Sequence, residues 1–144
     1  MSDESLRSVD LTRIGLGRYE ATNARGGKLV FGSGDGDGFT PVELLLAAIA
    51  GCSAADVDFI TNKRAEPTRL DVHMSGAKVR DDAGNHLRNL SLTFDITFPE
   101  GEAGDAARAV LPRAVEQSHD RLCTVSRTVE IGTPVTVRIS GSEG

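Results

Sequence analysis

Residues 40–53 read Thr40-Pro41-Val42-Glu43-Leu44-Leu45-Leu46-Ala47-Ala48-Ile49-Ala50-Gly51-Cys52-Ser53. Threonine, then proline, then glutamate three residues after the threonine is the grammar of a helix start. The hydroxyl can cap first-turn N–H groups, the proline ring already holds helical φ, and the carboxylate can reach back. The spacing predicts a helix over 41–64, stopped at Glu66-Pro67 because a residue before proline leaves the α region. From Leu44 to Ala55 this helix is apolar on every face. A helix on the outside of a small domain shows one apolar stripe. Burial on all sides needs more cover than a lone chain of 144 residues offers, so a second copy in a two-fold dimer is expected to supply it. The alternative is a helix packed wholly inside one domain.

Outward from this helix, residues 11–22 and 28–33 read as strands joined by Asn23-Ala24-Arg25-Gly26-Gly27, residues suited to a tight turn. The glycine-rich loop at 32–38 lacks the spacing of a calcium loop, and no Gly-Lys-Ser/Thr follows to cradle phosphate. Strand patterns return at 68–80 and 88–98 around a turn at 82–85. In the second of these Leu90, Leu92, Phe94, Ile96 and Phe98 alternate with polar residues, as in a strand with one wet face. A second helix is expected over 102–121, kinked by Pro112. After Cys123 a short turn should lead to a last strand at 134–140. The order β-β-α-β-β-α-β implies an α+β fold, a single domain over 1–144 with helices on one side of antiparallel sheets. About 1–9 and 141–144 are expected to be flexible termini.

Composition narrows the function. Sixteen basic residues against 21 acidic give a net charge of −5, and the basic ones are scattered, which argues against nucleic acid or an anionic membrane as partner. Trp is absent and there is one Tyr, so stacking on single strands is not expected. No apolar run near the start suits a signal peptide, and Leu44–Ala50 falls short of the roughly 18 residues of a membrane span. The expected compartment is the cytoplasm, where thiols rest reduced.

Two isolated cysteines remain. Cys52 follows Gly51, and glycine in mid-helix costs about 1 kcal/mol relative to alanine, which suggests close approach by another helix or a small ligand. The plain reading of Cys52 is a small core residue. Cys123 lies at the end of the second helix, and a disulfide closing a loop of about 70 residues would be worth about 4 kcal/mol against the reduced unfolded chain. In a reducing compartment such a pair is more plausibly catalytic or sensing than structural. A reactive thiol needs a nearby cation, for which Arg25 on the glycine-rich turn is the candidate. His119, four residues before Cys123, either shares its helical face or caps a solvated helix end. His73 and His86 have no evident partner, and with three His and two Cys a zinc site has little support.

The segment from Thr40 to Ser53 resembles the central helix of the OsmC/Ohr superfamily, and Cys123-Thr124-Val125-Ser126-Arg127-Thr128 resembles its second-cysteine segment. The likeness runs from about residue 10 to 140 and is greatest to the YhfA-like branch. It implies an intertwined homodimer with the long apolar helix at its interface, and thiol-dependent reduction of small organic hydroperoxides without metal or organic cofactor. By that resemblance Cys52 is the peroxidatic thiolate, oxidised to a sulfenic acid, and Cys123 resolves it as a disulfide. Arg25 is the arginine that steadies the thiolate, reaching from the partner chain, and a dithiol or lipoyl-protein re-reduces the pair. Two positions depart from the hydroperoxide reductases. Val42 stands where they carry the glutamate that holds the arginine, with Glu43 about 100° further round the helix, and Thr124 stands where a proline commonly follows the second cysteine. Two other readings share these residues: a redox sensor or small-electrophile binder without turnover, and a dimer module whose cysteines are core residues.

Overall fold

The computed structural model describes residues 4–141; the outermost residues of the two expected flexible termini, 1–3 and 142–144, lie outside them. The architecture is α+β, with antiparallel sheets and three α-helices among the described residues. The chain, expected as one domain, forms two compact units, one ending at Leu46 and one beginning at Ala47.

The first unit holds β1 (Val9–Gly15), β2 (Arg18–Asn23) and β3 (Lys28–Gly32) in one antiparallel sheet of order β1-β2-β3. The strand expected over 11–22 is thus two strands, folded back at Leu16-Gly17. Gly17 takes φ 67° there, a conformation that favours glycine, and apolar residues on both sides hide the break from a periodicity reading. The β2–β3 turn is as expected: Asn23 Oδ1 accepts the backbone N–H groups of Arg25 and Gly27 at 3.0 and 2.9 Å. Tyr19 pairs with Phe31 across the sheet, ring centroids 5.8 Å apart.

Helix α1 (Pro41–Asn62) starts as the sequence dictates. Thr40 Oγ1 accepts the Glu43 N–H at 3.1 Å and Glu43 Oε1 accepts the Thr40 N–H at 2.9 Å, a reciprocal capping box. Only the stripe Ile49, Ser53, Val57 and Thr61 is buried. Leu45 and Phe59 stay exposed, and a Cβ built on Gly51 meets nothing within 4 Å. By length and composition alone α1 is long and apolar enough to cross a membrane, a test that the core helix of a soluble protein also passes.

The second unit contains β4 (Arg69–Asp81) and β5 (Gly84–Thr97), paired as one long hairpin. Leu92, Phe94 and Ile96 are partly covered while Ser91, Thr93 and Asp95 are exposed, the alternation expected of a half-wet strand. A bulge opposite Ser75 and Ala77 places Asn89 at φ 57°, which a short polar side chain tolerates. Helix α2 (Glu102–Gln117) contains Pro112 and runs directly into a π-helical turn, Ser118–Leu122. Helix α3 (Thr124–Glu130) follows, where only a turn was expected. Residues 133–139 adopt no regular structure, so the strand expected at 134–140 is not formed; Val135 and Val137 there are exposed. The core of this unit gathers Val57, Phe98, Ala107, Ala114 and Cys123, all at most 4% exposed.

Candidate functional site

The two cysteines meet. Cys52 and Cys123 are both free thiols, and their sulfurs, together with a carboxylate oxygen of Asp56, lie within 4.8 Å of one another. Local structure explains each placement. Cys52 and Asp56 stand four residues apart on α1, hence on one face. Cys123 caps α3, its sulfur accepting the Ser126 N–H at 3.4 Å. The π-turn delivers it: the Cys123 N–H donates to Ser118 O at 2.8 Å, a bond across five residues instead of four. Ser118 then donates its hydroxyl to Asp56 Oδ2 at 2.9 Å, tying the π-turn to α1.

The two thiols differ in access and in charge preference. Cys123 is fully buried while Cys52 is partly exposed. Burial pushes the Cys52 thiol up; the Val125 N–H works against it, and the neighbouring Cys123 adds to the rise. For Cys123 burial also opposes ionisation, but the Ser126 and Ser53 hydroxyls, the Ser126 N–H and the Cys52 thiol outweigh it, and its pKa falls. The pair behaves as a coupled acid, with the anion preferred on the buried sulfur of the single chain. A cavity of about 270 Å³ opens beside the pair, with Ile49, Met74 and Phe94 as apolar wall and Ser53, Ser126 and His119 as polar lining. Ser53 and Ser126 therefore face both the cavity and Cys123.

Arg25 sits exposed on the β2–β3 turn of the first unit. The Glu43 carboxylate is engaged in the α1 capping box. His119 loses the four-residue helical spacing on which a face shared with Cys123 depended, because the π-turn intervenes. Its ring nitrogens contact Asp120 at 2.9 Å and Glu130 at 3.1 Å, and these carboxylates, Asp120 foremost, raise its pKa. Asp56, Ser118, Ser53 and Ser126 were not anticipated. Only Asp56 carried a usable signal, its four-residue spacing from Cys52.

Comparison with known proteins follows the same outline. The family described as OsmC-like protein matches residues 34–138. An uncharacterised protein of Mycobacterium tuberculosis is 33% identical over 129 residues, covering 88% of this chain and 91% of that one. Protein YhfA of Escherichia coli is 28% identical over 116 residues, 79% of this chain and 82% of its own. The crystal structure of an OsmC-like protein from Mycoplasma pneumoniae superposes with a TM-score of 0.71 over 89% of both chains at 16% identity, a likeness of fold.

Proposed function

Since the chain belongs to the OsmC-like family, within the OsmC/Ohr superfamily, we propose that it is a cytoplasmic homodimer that reduces small organic hydroperoxides through Cys52 and Cys123. The observation that carries this is the meeting of two reduced sulfurs within 4.8 Å, one partly exposed and the other buried.

Cys52 is the attacking sulfur because a peroxide can reach it, whereas Cys123 has no exposed surface. Attack on the terminal peroxide oxygen breaks the O–O bond; the Cys52 thiol becomes a sulfenic acid, and the departing alkoxide takes the thiol proton and leaves as alcohol. The Cys123 thiolate then displaces hydroxide from that sulfenic acid, which leaves as water with one proton, and an intramolecular disulfide remains. A dithiol, free or on a lipoyl-protein, returns both sulfurs to thiols and is itself oxidised to a disulfide. Arg25 from a second copy supplies the cation that moves the negative charge onto Cys52. The apolar cavity wall accommodates the alkyl group, and its volume suits a small organic molecule.

A second reading is a redox sensor or electrophile binder with little turnover. Glu43 favours it: its carboxylate is spent on the helix cap, and Val42 beside it offers none to hold an arginine. One experiment separates the readings. Free thiols are counted after one equivalent of cumene hydroperoxide, then again after dihydrolipoamide. Rapid loss of both thiols, recovery, and repeated consumption support catalysis; loss without repeated consumption supports sensing; unchanged thiols refute both.

A further inference from the structure

Asp56 has no part in the peroxide chemistry, yet a carboxylate oxygen of it lies within 4.8 Å of both sulfurs. Its position makes sense if a cation joins the three groups. We propose that Cys52, Asp56 and Cys123 form a binding site for a thiophilic divalent cation of the Zn²⁺ class, closed to further protein ligands and keeping one position for water.

The donor set is chemically apt: two soft sulfurs and one carboxylate oxygen are ligands that Zn²⁺ takes in tetrahedral sites, with a water in the fourth place. Sulfurs bound 2.3 Å from a tetrahedral ion stand about 3.8 Å apart. The three donor atoms already lie within 4.8 Å of one another, so at most about 1 Å of side-chain movement closes the site. The outer partners are those a metal site uses to aim its ligands. Ser118 fixes Asp56 through Oδ2 at 2.9 Å, leaving the other carboxylate oxygen for the ion, and the Ser126 N–H fixes the Cys123 sulfur. Cys123 is buried while Cys52 and Asp56 are partly exposed, so the ion has a way in from their side. Binding displaces the two thiol protons to solvent and engages both sulfurs as thiolate ligands, which a disulfide cannot supply, so metal occupancy and disulfide formation compete for the same two atoms.

The test uses the whole protein, reduced and stripped with chelator, with both thiols verified by titration. Co²⁺ added to it should bind once per protomer, giving a sulfur-to-cobalt charge-transfer band and tetrahedral visible bands, both abolished by an equivalent of Zn²⁺. Ser118→Ala should weaken binding by about 10–100-fold, Asp56→Asn by at least as much, and Cys123→Ser should remove the charge-transfer band's two-sulfur intensity. Circular dichroism checks that each variant is folded; should Asp56→Asn unfold, Ser118→Ala carries the test. Absence of the band at excess Co²⁺ overturns the proposal. So does a band whose affinity is unchanged in the folded variants, since that marks chance binding by two thiols. Hydroperoxide consumption by the stripped protein is read separately, so failure here leaves the peroxide reading standing, and the reverse holds.

Discussion

Ser118 Oγ donates to Asp56 Oδ2 at 2.9 Å across 62 positions of sequence, and with that bond the π-turn before Cys123 is fastened to the helix that carries Cys52. Hydrogen bonds to charged groups contribute about 1.5–3 kcal/mol, and the loss is larger when the charged partner stays behind partly buried. Ser118→Ala should therefore lower stability by about 2 kcal/mol in urea unfolding and slow disulfide formation after peroxide, followed by thiol loss in stopped flow. Unchanged stability together with an unchanged rate would show that the bond does not hold the two segments in register.

The Ser126 hydroxyl is the foremost group drawing the Cys123 pKa below 9.0 against the pull of burial. An acid whose folded pKa is depressed contributes stability above its unfolded pKa and loses it as pH falls through the folded one. Ser126→Ala should move the Cys123 titration upward, seen in the ultraviolet absorbance of the thiolate in a Cys52→Ser background, and should shrink that gain of stability toward alkaline pH. A titration that does not move would remove the hydroxyl from the account.

His119 titrates in the opposite sense. Asp120 and Glu130 raise its pKa above 6.5, so its stabilising contribution is complete below the unfolded pKa and is lost as pH rises through the folded value. The ring is 61% exposed, which limits the effect to the range of surface pairs, about 0–1 kcal/mol. Proton NMR should place its titration above 6.5, and Asp120→Asn should bring it down toward that value.

Gly104, buried in the first turn of α2, has no room for a side chain: a Cβ there runs into the Pro99 carbonyl. Alanine normally gains about 1 kcal/mol over glycine in a helix, yet Gly104→Ala should destabilise by about 1–3 kcal/mol because the chain must shift to admit it. Equilibrium unfolding decides the sign.

What the sequence made legible is what local chemistry determines. The α1 start follows from Thr40, Pro41 and Glu43 within one turn, and the β2–β3 turn from Asn23 and the glycines after it. Leu92, Phe94 and Ile96 announce a strand by alternation alone. The sequence offers a Cys52–Cys123 pair as one option, through the turn after the second helix, and the family resemblance supplies their roles, because no spacing rule brings together residues so far apart. The errors have physical causes. Gly17 breaks a run whose apolar spacing continues on both sides. Thr124, Val125 and Val129 are poor helix formers, and they hid α3, which Cys123 caps. The π-turn cannot be seen by a 3.6-residue rule, and it moved Ser118 into the place assigned to His119. Val135, Val137 and Ile139 alternate as a strand does, but pattern alone names no ladder partner.

Gly51 bears on the dimer. Within one chain a Cβ at this position meets nothing within 4 Å, while Leu45 and Phe59 on the same helix are exposed. If the protomer acted alone, Gly51→Ala would relieve a helix of glycine and raise stability by about 1 kcal/mol. If a second copy lays its α1 against this face, the added methyl separates two closely approaching backbones, and a larger side chain does so more severely. Gly51→Leu should therefore keep the circular dichroism of the folded protomer and shift sedimentation from dimer to monomer, with Gly51→Ala intermediate and its melting midpoint more dependent on protein concentration. On the proposal that the second copy supplies Arg25, hydroperoxide turnover should fall with the dimer fraction. A Gly51→Leu protein that sediments as the parent does and melts higher would put the α1 face outside any interface and leave Cys52 without that arginine.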